Sequence, residues 1–170
     1  MVRKESFTLI ELLVVVSIVV LISAMVLISY RQGERELTLY SEADKLVSII
    51  RTAQADALTG SILDSLRPEH YGICFSEDGY VLFAENDDDC AFSSADDNNF
   101  LIQEFSLESG ISLIDYPSTI VFSAPEASVK RGNGGCSDLT TPVQIVLFQS
   151  ATNKQVSIEV NNQGKIEIIK

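Results

Sequence analysis

The stretch RKESFTLIELLVVVSIVVLISAMVLI, residues 3–28, decides the fold. Residues 12–28 are seventeen in number and broken only by Ser17 and Ser23. Counting back through Glu11 to Phe7 brings the run to the roughly 20 residues that an α-helix needs to cross hydrocarbon. Glu11 is the anomaly, because an ionised carboxylate within a membrane helix is costly and calls for a partner. Arg3, Lys4 and the amino terminus precede the run, and the next basic residue is Arg31. That asymmetry favours a cytoplasmic start and an exported remainder. A removable signal peptide closes its apolar region with a small-x-small site. Here Ser23 and Ala24 are adjacent and the run continues through Ile28, so conventional removal is not expected.

Further along, Leu37, Tyr40, Ala43, Val47, Ile50, Ala53 and Ala57 recur at spacings of three and four, which describes one helical stripe. The spacing predicts a helix over residues 7–59, about 80 Å long at 1.5 Å per residue. No proline interrupts it, and Gly33 is its first soft point, costing about 1 kcal/mol relative to Ala. Gly60 and Ser61 suit its end, and Pro68 prevents its easy continuation.

The remainder reads as strands. HYGICFS (70–76) and YVLFAE (80–85) flank the turn-like Glu77, Asp78 and Gly79, which makes a hairpin. FLIQEFSL (100–107), ISLI (111–114), TIVFSA (119–124) and VQIVLFQ (143–149) follow, and QVSIEVNNQGKIEII (155–169) closes the chain as a hairpin reversing at NNQG. Alternation in the last segment implies one covered face and one wet face. The helical stripe supplies the cover. The expected class is therefore α+β, a long N-terminal helix whose second half packs on an antiparallel sheet.

Charge narrows the partners. The chain carries a formal net charge of −12, and residues 68–129 hold thirteen Asp or Glu and no Lys or Arg. Such a surface repels a phosphate backbone, so no nucleic-acid partner is expected. Three cysteines, Cys74, Cys90 and Cys136, allow one internal disulfide with one thiol left over. In an exported domain a bridge between Cys74 and Cys90, closing a short loop around the first hairpin, is the candidate; three buried thiols are the other reading.

Chemistry-bearing constellations are sparse. His70, the single histidine, sits beside Glu69 after Pro68 and reads as solvent-facing, with no nucleophile placed beside it. One His and three dispersed Cys lack the short spacing of a zinc site. Asp87, Asp88 and Asp89, with Asp96 and Asp97, offer hard oxygens to Ca²⁺, but the D-x-D-x-D-G order with a glutamate at position twelve is missing. The segment ENDDDCAFSSADDNNF (85–100) reads as an acidic loop, and KRGNGGCSD (130–138) as a second loop carrying the basic pair Lys130 and Arg131. No metal, no cofactor and no enzymatic activity are expected.

The stretch SFTLIELLVVVSIVVLI resembles the N-terminal segment of type IV pilins and of the pseudopilins of type II secretion systems. The resemblance implies a pilin-like fold and a leader, residues 1–6, ending at Ser6. Phe7 then becomes the mature, methylated N-terminus, and Glu11 the fifth mature residue. It implies a membrane-spanning segment over residues 7–30, an amphipathic continuation over 31–60 and a β-rich head over 61–170. Implied partners are the prepilin peptidase, other pilin or pseudopilin subunits and inner-membrane assembly machinery. The implied location is a single pass through the inner membrane, with the head periplasmic or extracellular, and a place in a pilus or pseudopilus.

Glu11 then pairs with the Phe7 amine of a neighbouring subunit, or with its own Phe7 one turn away. The chain departs from the family at Ser6, where a glycine is usual. It departs from many major pilins at Val20 and Ile28, where those have glycine and proline. The size of the chain, the hairpin directly after the helix and the terminal hairpin ending in GKIEI are most similar to minor pilins and to the H-type minor pseudopilin. The implied role is a structural filament subunit; the alternative is a membrane-anchored adhesin or binding module shown at a filament tip.

Overall fold

The computed structural model describes residues 8–63, 67–86, 89–93, 99–132 and 136–169, the side chains of residues 27–29 excepted. Helix α1 (Leu9–Thr59) is one uninterrupted α-helix of 51 residues. Its start is set by Thr8: the Glu11 N–H donates to Thr8 Oγ1 at 3.3 Å, and Glu11 Oε2 accepts from the Thr8 backbone N–H at 3.1 Å and from its hydroxyl at 3.0 Å. The reciprocal pair is a capping box, which satisfies N–H groups that no preceding turn can reach. Its end is set by Gly60, whose φ of 59° is the left-handed conformation that closes a helix. The Ser61 N–H then returns to the Asp56 carbonyl at 3.2 Å.

Internal contacts divide the chain between Arg35 and Glu36. Before that point the helix is bare: every large apolar side chain of residues 9–26 is at least half exposed, from 50% at Val14 to 84% at Leu9. By length and composition this part of α1 can cross a membrane. After Glu36, Leu39, Ala43, Leu46, Val47, Ile50, Ala53 and Ala57 are buried. The expected stripe is thus corrected at its start: Leu37 is 72% exposed and Leu39 takes its place. At about 100° per residue, Leu37 lies six residues before Ala43 and falls about 120° off the stripe.

Among the described residues that follow there are ten strands: β1 (His70–Ser76), β2 (Gly79–Glu85), β3 (Asn99–Ser106), β4 (Ile111–Asp115), β5 (Thr119–Ser123), β6 (Ser128–Gly132), β7 (Cys136–Asp138), β8 (Val143–Gln149), β9 (Lys154–Val160) and β10 (Ile166–Ile169). They make two antiparallel sheets, ordered β3-β2-β1-β5-β6-β7 and β10-β9-β8-β4, where the sequence suggested one. The β1–β2 turn joins them. Its Glu77 carbonyl accepts from the Leu113 N–H of β4 at 2.9 Å, and its Asp78 carbonyl accepts from the Leu107 N–H after β3 at 2.9 Å.

Both sheets and the second part of α1 share one core. Leu46 and Ile50 of the helix belong to the same buried cluster as Tyr71 and Ile73 of β1, Phe122 of β5, Ile145 and Leu147 of β8, and Ile158 of β9. Three alanines along the stripe, each fully buried, let the helix backbone approach the sheets. Glu42 is buried to 3% on this helix and is held by Lys45 at 2.5 Å. Nearby, burial first and the Glu42 charge second push the Tyr80 phenol up to about 12, so the Tyr80 ring stays neutral against Phe105, 5.0 Å away.

The expected loop at residues 130–138 is also corrected. Its two ends are β6 and β7, paired Lys130 to Asp138, Arg131 to Ser137 and Gly132 to Cys136. Glycine-rich composition hid them, because neither short strand carries an apolar alternation.

Candidate functional site

Two places on the chain concentrate chemistry. The first is the start of α1. Glu11 is exposed beside Thr8 and stands at the head of a helix whose apolar side chains have no cover. A carboxylate there completes the capping box and adds a negative charge at the positive end of the helix dipole. Ser6 and Phe7, the expected processing residues, lie outside the described residues. Thr8 was the functional neighbour that the reading of Glu11 missed, although the T-x-x-E pattern of a capping box is visible in TLIE.

The second place is the face of the six-stranded sheet that looks away from α1. Alternate residues of β1 diverge: Tyr71, Ile73 and Phe75 enter the large core, and Cys74 turns to the opposite face. There Phe83, Val121 and Cys90 form a smaller buried cluster, with Cys74, Phe92 and Cys136 packed against it. Residues 89–93 supply its cover, and the Phe92 ring lies 5.3 Å from Phe83. The Thr119 hydroxyl donates to the Cys90 carbonyl and fixes that cover over β5. This is why β5 is buried along its whole length, on both faces.

The expected bridge between Cys74 and Cys90 is corrected here. Cys90 is bonded to Cys136 across 46 residues of sequence, with their Cα atoms 5.0 Å apart, and Cys74 is the free thiol. Cys74 lies on β1, paired with Thr119, whereas Cys136 faces Gly132 at the far edge of the sheet where Cys90 crosses. Burial pushes the Cys74 thiol above its ordinary value. Since the thiolate is the nucleophile, Cys74 in the oxidised, folded protein should alkylate several-fold more slowly at neutral pH than in unfolded protein. Rapid, equal labelling in both states would count against its burial, and labelling of all three cysteines without reductant against the bridge.

His70 also departs from expectation: it is buried to 6%, directly opposite Glu85 of β2 and Ser123 of β5. Glu85 is fully buried and Ser123 is 8% exposed. The row places a carboxylate, an imidazole and a hydroxyl on neighbouring strands, but under cover, where a bulky substrate does not reach the hydroxyl. Asp87 and Asp88, the first two calcium candidates, lie outside the described residues. Asp89 acts locally: its Oδ1 accepts from the Ala91 N–H at 2.8 Å and shapes the turn that carries Cys90 across the sheet.

Basic side chains of the head engage acidic ones at its surface, Lys154 with Glu36 at 2.8 Å and Lys165 with Glu167 at 2.5 Å. Comparison of the chain with protein-family models, with curated proteins and with solved structures gave no match.

Proposed function

We propose that the chain is a minor subunit of a type IV pilus or of a type II secretion pseudopilus, assembled through its N-terminal helix. One observation carries the reading: a helix bare of cover over residues 9–26, bearing a single carboxylate in its first turn, continues into the helix that packs on a β-rich head. Membrane-spanning length explains the exposed apolar surface. Glu11 adds what a passive anchor does not need. A charge at the edge of the apolar phase is tolerable once a cation of a neighbouring helix faces it, and the mature amine at Phe7 is that cation. The role is structural, with the head displayed outside the cytoplasm and the prepilin peptidase and other subunits as partners.

Processing tests this reading. Intact-mass and N-terminal analysis of protein extracted from membranes should show loss of residues 1–6 and a single added methyl on Phe7. Assembled material that retains Met1 would refute the processing claim, and Ser6, which stands in place of the usual glycine, is the residue that would then account for it.

A further inference from the structure

The buried face of the six-stranded sheet gathers more than a disulfide. The Glu85 carboxylate and the sulfurs of Cys90 and Cys136 all lie within 4.8 Å of one another, and Glu85 is fully buried. We propose that, in its dithiol form, the head binds a thiophilic divalent cation of the Zn²⁺ class through Cys90 Sγ, Cys136 Sγ and the Glu85 carboxylate. This inference is independent of the filament reading.

The donor set is one that zinc accepts, with bonds of about 2.3 Å to sulfur and about 2.0–2.2 Å to carboxylate oxygen. Tetrahedral angles then place the two sulfurs about 3.8 Å apart. The separation of 5.0 Å between the two Cα atoms accommodates that spacing by side-chain rotation alone. Three separate elements deliver the ligands: Glu85 ends β2, Cys136 begins β7, and Cys90 lies on the covering segment that Thr119 holds in place. A site so built is positioned by the fold before any metal arrives, and three protein ligands leave the fourth position to water.

Charge also fits. Two thiolates and a carboxylate exceed the dication by one negative charge, and the same face carries Lys130, paired across the ladder with Val121 of the small cluster. Linear spacing hid the site, since 46 residues separate the two cysteines and Glu85 ends a strand with no ligand-spacing pattern around it.

The two states exclude each other. A disulfide sulfur carries no thiolate charge, so oxidised protein has no such site. On reduction by a phosphine, the disulfide takes up two electrons and two protons to give two thiols, while the phosphine becomes its oxide with oxygen from water. Metal binding then releases the two thiol protons.

The test uses the full chain in detergent micelles, reduced with a phosphine under anaerobic conditions and titrated with Co²⁺ as a spectroscopic probe. The reduced wild type should take up one Co²⁺ with a thiolate-to-cobalt charge-transfer band, which added Zn²⁺ abolishes; oxidised protein and Cys136→Ser should show no band. Cys74→Ser should bind as the wild type does. Glu85→Gln should weaken binding by at least roughly tenfold, the lower end of what outer-sphere partners alone cost. A measurement without substitutions guards against variants that misfold: in reduced wild type, Zn²⁺ should protect Cys90 and Cys136 from alkylation and leave the Cys74 rate unchanged. Absence of the band in reduced wild type, a band that survives Cys136→Ser, binding indifferent to Glu85→Gln in protein that folds, or equal alkylation of Cys90 and Cys136 with and without Zn²⁺ would each overturn the proposal.

Discussion

On the proposed subunit role, replacing Glu11 with Gln should leave the chain inserted, cleaved and folded, yet keep it out of the filament. The substitution is informative because of the geometry at Thr8. Glu11 holds the Thr8 N–H and hydroxyl through Oε2, and a glutamine carbonyl accepts the same bonds. Glutamine is an accepted partner in a capping box, so the helix start survives. The variant loses the charge alone. Replacement with Leu removes both charge and cap: insertion becomes easier by a few kcal/mol, on a scale that penalises acidic residues at about 2.5–3.5 kcal/mol when central in a membrane helix. A capping box contributes about 1 kcal/mol, so its loss frays the first turn without melting a helix of 51 residues.

A passive anchor tolerates both variants. If Glu11 serves only as a cap, Gln behaves as wild type and Leu is mildly impaired. If Glu11 meets a neighbour's Phe7 amine, both fail, because each leaves an ammonium at the apolar boundary with no counter-charge. The measurement is co-purification with partner subunits, normalised to membrane abundance and to cleavage. Recovery of Glu11→Gln at the wild-type level would sink the charge-pair mechanism and leave the cap as the role of Glu11.

How much of this was readable in the sequence depends on whether the interaction was local. The helix end at Gly60 and Ser61 and the strands at residues 70–76 and 143–149 were legible, because a left-handed glycine and an apolar alternation are properties of a few consecutive residues. The capping box at Thr8 and Glu11 was equally local and could have been read. Leu37 was misplaced by accepting spacings of three without following their phase. The small cluster behind β1 lay beyond such reasoning. His70 sits next to Glu69 in the chain but next to Glu85 and Ser123 in space, and that proximity is a product of strand register. Disulfide choice is of the same kind. Cys74 and Cys90 are close in sequence, yet the covering segment carries Cys90 past β1 and over Gly132, where Cys136 is the neighbour.

Gly132→Ala should destabilise the oxidised head by about 3 kcal/mol, and the loss should depend on the disulfide. Gly132 lies on β6 beneath the covering segment. A Cβ built there would stand 2.1 Å from the Cys90 carbonyl oxygen and 1.9 Å from Thr119 Oγ1. Neither neighbour can yield cheaply, since the first is backbone and the second donates its proton to that same carbonyl. Overpacking of this kind costs about 1–3 kcal/mol, and a buried carbonyl parted from its donor about 1–3 more. Lifting the segment would relieve the clash, but the bond from Cys90 to Cys136 holds it down.

Replacing both cysteines with Ser removes the tether. It should itself cost about 4 kcal/mol by the chain-entropy relation for a loop of this length. It also frees residues 89–93 to move away from β6. In that background Gly132→Ala should therefore cost less than about 1 kcal/mol, making the triple variant more stable than the two separate losses add up to. Denaturant unfolding of the four proteins in one detergent, followed by circular dichroism, gives the coupling directly. Sites in contact deviate from additivity by about 0.5–3 kcal/mol, so a coupling near zero would show that the covering segment does not press on Gly132, and would remove the close approach on which the geometry of Cys90, Cys136 and Glu85 depends.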